Sequence, residues 1–82
     1  MNHQDITPRQ EHMLKLIKAY IEEHHHAPTL REIATRYLNA RGEPSHVSTV
    51  MQQVAALRRK GYIDYLDGKF RTIQVLREPS NE

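Results

Sequence analysis

Residues 46–61 read HVSTVMQQVAALRRKG, a stretch without an acid in which apolar residues recur at helical spacing. Val47, Val50, Val54 and Leu57 follow the i, i+3, i+7 interval that lines up one side of a helix, and Ser45, Ser48, Thr49, Gln52 and Arg59 fall on the other. Such a helix buries its apolar side and offers hydroxyl and carboxamide groups to base edges and phosphates. It is expected to open at Ser45 or His46 and to stop at Gly61, behind three successive cations.

Upstream, two further helices are written in the same terms. Thr7, Pro8 and Gln10 form a T-x-x-Q capping box with proline at the first helical position, and Met13, Leu14, Leu16, Ile17, Tyr20 and Ile21 supply a buried face. The run EEHHHAP ends that helix. Thr29, with Glu32 as its box partner, starts another, from which Leu30, Ile33, Ala34, Tyr37 and Leu38 are expected to point inward. Asn39, Gly42 and Pro44 mark a loop over 38–45. Downstream, Tyr62–Leu66 and Phe70–Leu76 are rich in aromatic and β-branched residues, and Asp67-Gly68 between them is a tight hairpin signal. Lys69 and Arg71 are expected to project from or near its tip, and the polar tail 77–82 to fray.

Helix, helix, turn, helix and a two-stranded wing is the order of a winged helix-turn-helix domain: mainly α, with a small β hairpin. The 82 residues, 38% of them hydrophobic, suit one domain with a core over about 6–76; a chain of this size buries only roughly 60–65% of its unfolded surface. With no cysteine, neither a disulfide nor a thiolate zinc site can brace it. The N-terminus is polar and no apolar run reaches membrane-spanning length, so a soluble, cytoplasmic protein without a membrane partner is expected.

The formal charge is only +2, but its distribution is uneven. Residues 46–77 hold six cations against two acids, whereas residues 1–30 hold three against four. Cations at a helix end complement its dipole, which accounts for Arg58, Arg59 and Lys60 but not for the absence of acids along the whole helix.

These residues also carry a resemblance. ITPRQEHMLKLIKAYIEE, PTLREIATR, and ALRRKGYIDYL followed by a hairpin and IQVL make the chain resemble the N-terminal DNA-binding domain of the LexA repressor family across about residues 6–76. The P-T-x-x-E-I-A element at 28–34 with R-K-G-x-I at 59–63 is its most specific part. The resemblance implies a third helix lying in the major groove, with contacts from its first two turns at His46, Ser48, Thr49, Met51 and Gln52. It also implies backbone contacts from the wing, here Gly68, Lys69 and Arg71. The link LNARGEPS between the second and third helices is longer than the family's short turn. Family members carry a second domain that dimerises and cleaves the chain at a serine-lysine site. No such domain falls within these 82 residues, so self-cleavage and damage sensing are not expected.

Base contacts are therefore expected from Ser45, His46, Ser48, Thr49 and Gln52. Gln52 can pair bidentately with adenine, and the Thr49 methyl can meet a thymine methyl. Ala55 and Ala56 keep that side slim. Backbone contacts are expected from Thr29, Arg31, Gln53, Arg59, Lys60, Gly68, Lys69 and Arg71, with Arg58 and the amides at the Thr7 and Thr29 helix starts as further candidates. Tyr62, Tyr65 and Phe70 read as packing residues rather than base-stacking platforms. Three consecutive histidines, His24 to His26, cannot readily converge on one metal and read as an exposed helix end; the six histidines would make the domain more cationic in mild acid. No phosphate-cradling glycine loop or Ser/His/Asp spacing points to an enzyme, and no cofactor is expected.

Two functions of different class stay open. One is a sequence-specific double-stranded DNA binder, a small transcriptional regulator or repressor working as a homodimer on a pseudo-palindromic site. The other is a winged-helix module that docks on a protein partner in replication, repair or phage/host defence, since the fold serves both uses.

Overall fold

The computed structural model describes residues 6–77; the N-terminal five residues and 78–82, including most of the expected tail, lie outside the described residues. Helix α1 spans Pro8–His24, α2 Leu30–Arg36 and α3 Val47–Arg59, followed by strands β1 (Ile63–Leu66) and β2 (Lys69–Val75). The chain is a winged helix-turn-helix domain.

Both capping boxes form. The Thr7 hydroxyl accepts the Gln10 N–H at 3.1 Å while the Gln10 carboxamide accepts the Thr7 N–H at 3.2 Å. Thr29 and Glu32 exchange the same pair at 3.1 and 2.9 Å. Each box satisfies two amide donors that a helix start leaves without an intrahelical partner. At the other end of α1, His25 turns into the left-handed region (φ 64°) and its N–H reaches the Ile21 carbonyl at 2.7 Å. The histidine run therefore ends the helix, as its composition indicated.

The core draws on every element. Met13, Leu14 and Ile17 of α1, Ile33 of α2, and Val50, Val54 and Leu57 of α3 are fully buried, and Tyr62, Ile63 and Ile73 close it from the hairpin side. Leu16 and Ile21 pack at its rim. The end of α3 is a Schellman motif: Gly61 N–H bonds to the Arg58 carbonyl and Tyr62 N–H to the Leu57 carbonyl, both at 3.0 Å. Gly61 takes φ 84°, where a side chain would be strained. Leu57 and Tyr62, the two ends of the motif, are both in the core, so the cap that stops the helix also aims the chain into β1.

Two expectations need correction. Leu38 does not point inward: α2 ends at Arg36, Tyr37 leaves it with extended backbone (φ −95°, ψ 91°), and Leu38 is 52% exposed. Tyr37 stays buried because its hydroxyl returns to the Arg9 carbonyl and its ring meets His12. Ala56 is also buried, so only Ala55 keeps the outward side of α3 slim.

The hairpin turns at Asp67-Gly68, with Gly68 at φ 75°. Its register is irregular: Asp64 faces Gln74, yet Leu66 faces Lys69, so residues 70–73 bulge opposite Tyr65. The Thr72 hydroxyl fills the gap by accepting the Leu66 N–H at 2.8 Å and donating to the Lys69 carbonyl. A β-branched residue with a hydroxyl thus replaces a missing ladder bond.

Candidate nucleic-acid interface

The outward side of α3 is set by what its inward side buries. With Val50, Val54 and Leu57 in the core, the 100° step of the helix sends Ser48, Gln52, Ala55 and Arg59 to the opposite side. Ser48, Gln52 and Arg59 are exposed there and Thr49 is half-buried beside them. His46 precedes the helix as its N-cap residue, exposed and without a side-chain capping bond. Met51, 45% exposed, lies on the flank toward the hairpin. This surface is uncharged from His46 to Leu57 apart from its imidazole, and carries hydroxyl, carboxamide, methyl and thioether groups able to read a groove edge.

Ser45 is less free than its exposed neighbours. Its hydroxyl donates to the Tyr37 carbonyl, and its N–H is shared between the Ala34 and Tyr37 carbonyls at 3.1 and 3.2 Å. These bonds tie the start of α3 to the end of α2 and fix the angle between them. Gln53 is half-buried, and its amide oxygen is shielded without a hydrogen-bond partner among the described residues.

The cations divide into two groups. Arg9, Arg31, Arg41, Arg59 and Lys69 are exposed and make no ion pair among the described residues. The others are already engaged. Lys60 donates to the Gln10 carboxamide at 2.7 Å, joining the end of α3 to the α1 capping box. Arg58 bonds to Asp67 at 2.6 Å and Asp64 at 3.1 Å, with its guanidinium 4.4 Å above the Tyr65 ring. Asp67 foremost, with Asp64 and Tyr65, holds the Arg58 proton more tightly than usual. Tyr65 in turn stacks on Phe70 at 5.0 Å. The aromatic residues of the hairpin are therefore packing residues, and Arg58 is the strut between α3 and the wing.

Arg71 does not project from the wing tip as expected. Lying within the bulged segment, it leaves β2 half-exposed and turns toward the start of α2. There it donates to the Ala27 carbonyl at 3.2 Å, to His26 Nδ1 at 3.1 Å and to Glu32 at 3.3 Å. Glu32 thus serves two roles, capping α2 and receiving the wing. The Thr29 N–H, opposed by partial burial and aided by the Tyr20 hydroxyl and Arg71, holds its carboxyl below the ordinary 4.5. A carboxylate held low stabilises the fold above its unfolded value, and that contribution is lost as pH falls through the folded one. Glu32→Gln retains a capping carboxamide, as Gln10 shows, but removes the charge. The variant is expected to show a flatter loss of stability than the parent in acid titrations below about pH 4.5, followed by thermal melting.

Sequence reasoning missed the Arg58 strut and the Arg71 clasp. The acids six and nine residues beyond Arg58 were its only signal, and their meaning depends on how the hairpin folds back. Among the described residues no cluster of histidines and carboxylates is placed to hold a metal, and no helix is long and apolar enough to cross a membrane.

The LexA DNA binding domain family model matches residues 3–72. The chain belongs to the LexA DNA-binding domain family. It is 33% identical over 73 residues to the transcription regulator LexA of Synechocystis sp., covering 89% of this chain and 34% of that protein. The LexA repressor of Thermotoga petrophila is 35% identical over 79 residues, 95% of this chain and 36% of the relative. That of Geotalea uraniireducens is 40% identical over 71 residues, 87% and 33%. The chain spans about a third of the length of these LexA relatives.

Proposed function

We propose that this chain is the DNA-binding domain of a transcriptional repressor, reading the major groove of double-stranded DNA with the outward side of α3 and bracing on the backbone with its wing. The observation that carries the reading is the acid-free surface of His46, Ser48, Thr49 and Gln52 on a helix whose other side is fixed in the core. The relatives' names, transcription regulator and repressor, support it. In this reading Ser48, Thr49, Gln52 and His46 meet base edges, with Ser45 at the entrance. Arg59, Lys69, Arg31 and Thr29 face phosphates together with Gln53, Lys60, Gly68 and, where the clasp opens, Arg71. Domain 1–82 acts without an enzymatic step or cofactor. One α3 covers only a few base pairs, so two copies on a pseudo-palindromic site give useful specificity.

Selection from random duplexes with the purified chain tests the reading. An enriched motif of a few base pairs, with affinity falling steeply as salt rises, is the expected result. Absence of any duplex complex in dilute salt would overturn it in favour of docking on a protein partner.

Arg58 enters this function indirectly. By pairing with Asp64 and Asp67 it engages both carboxylates and offsets one of the two negative charges they would otherwise set against phosphates. Arg58→Met is expected to weaken binding, and adding Asp64→Asn and Asp67→Asn should restore most of it. Titration of a duplex with the single and triple variants checks this. If Arg58 were instead a phosphate ligand, the triple variant would not recover the salt slope lost in the single one.

A further inference from the structure

The connection between α2 and α3 is built rather than slack. The Asn39 carboxamide oxygen accepts the N–H groups of Arg41 and Glu43 at 2.8 and 3.0 Å. Asn39 N–H bonds to the Glu43 carbonyl at 2.8 Å and Gly42 N–H to the Asn39 carbonyl at 2.9 Å, with Gly42 at φ 78°. Leu38 pairs with Pro44 in a bridge at the base, below which Ser45 is tied to α2. The result is a miniature hairpin with Arg41 at its tip. Arg41 is exposed and makes no ion pair among the described residues, and Glu43 does not pair with it.

Its place relative to α3 gives this hairpin a use. Arg58 and Lys60 leave α3 roughly 200° apart. Arg58 bonds to the β hairpin, whereas Lys60 bonds to Gln10 in the first turn of α1. Residues 38–40 border a surface cleft with Pro8, Arg9 and His12 of that same end of α1, where the Tyr37 hydroxyl donates to the Arg9 carbonyl. The β hairpin and the 38–45 connection therefore flank α3 on opposite sides. A limb of three residues reaches about 10 Å, close to the roughly 12 Å width of the major groove. A cation at that tip, beside the start of a helix lying in the groove, arrives at the ridge of phosphates that borders it.

We propose that the 38–45 connection is a second wing, which contacts the duplex backbone through Arg41 on the side of α3 opposite the β hairpin. This rests on the duplex-reading function above. Because the hairpin is hydrogen-bonded before any partner arrives, little ordering entropy is lost when Arg41 meets a phosphate. The contact is blind to sequence, since phosphates carry no base identity.

The test uses the full chain, its selected duplex and an unrelated duplex of equal length. Arg41→Ala is expected to bind both roughly 3- to 10-fold more weakly, with the salt slope shallower by about 0.9, and to select the same motif as the parent. Phosphate ethylation interference should lose one site at the outer edge of the footprint, and Arg41→Lys should regain it. Circular dichroism and melting of Arg41→Ala should match the parent, because among the described residues Arg41 is bonded only through its main chain. If the parent binds duplex but Arg41→Ala keeps its affinity, slope and interference pattern, the second wing is refuted while the function stands. If the parent binds no duplex, both fall together.

Discussion

Leu57→Ala is expected to bring the domain close to its unfolding threshold. Leu57 is fully buried, faces the core with Val50 and Val54, and accepts the Tyr62 N–H that turns the chain from α3 into β1. Truncating a leucine where the surroundings cannot collapse costs about 3–5 kcal/mol. A domain of 82 residues has only about 4–12 kcal/mol in total at typical stability per residue. The urea midpoint should therefore fall by about a quarter or more, and duplex binding should fall with it because α3 is anchored to the rest of the domain through this side. A loss below about 1 kcal/mol at unchanged m-value would mean that Leu57 is not the joint described here. Ala55→Ser, on the outward side of the same helix, should leave the midpoint within about 0.5 kcal/mol of the parent.

Gln52→Ala is expected to erase preference at one base pair while leaving the fold intact. Gln52 is exposed at the centre of the outward line between Ser48 and Arg59, and among the described residues no side-chain bond holds it. A carboxamide can donate to N7 and accept from N6 of adenine at once, and such a pair is worth about 1–3 kcal/mol of discrimination. That corresponds to roughly a 5- to 150-fold change in relative affinity at that position. Affinity for unrelated duplex, which rests on phosphate contacts, should change little. Selection with the variant should return the parent motif with one position made degenerate. An unaltered motif would move base recognition off this side of α3 altogether.

The two results separate the helix's two sides, and that separation was legible before any coordinates. Val47, Val50, Val54 and Leu57 fall at helical spacing, and a helix with this pattern has one way to bury them, so the exposure of Ser48 and Gln52 follows from periodicity alone. The capping boxes at Thr7 and Thr29 were legible for a similar reason: all the atoms involved lie within four residues, and the geometry is local. Asp67-Gly68 fixed the hairpin turn through the backbone freedom of glycine.

The exposure of Leu38, the Arg58 strut and the Arg71 clasp were illegible in the sequence for one shared reason. Whether Leu38 continues α2 depends on Ser45 bonding back to Ala34 and Tyr37, a contact across the loop. Arg58 becomes a strut only because the hairpin returns Asp64 and Asp67 to it, and Arg71 a clasp only because β2 passes the start of α2. A cation run looks the same whether its charges face solvent or neighbouring carboxylates.

The amino-acid order by itself determined the elements, the capped starts of α1 and α2, the buried stripe of α3 and the class of fold, because spacing, caps and turn residues act over a few positions. Tertiary structure alone decided which cations remain free for a polyanion and which brace the domain. It also decided that the 38–45 connection stands as a folded hairpin beside α3. Ion pairs and long-range hydrogen bonds join residues distant in the chain, and their energies depend on separations of a few ångströms that only the folded molecule sets.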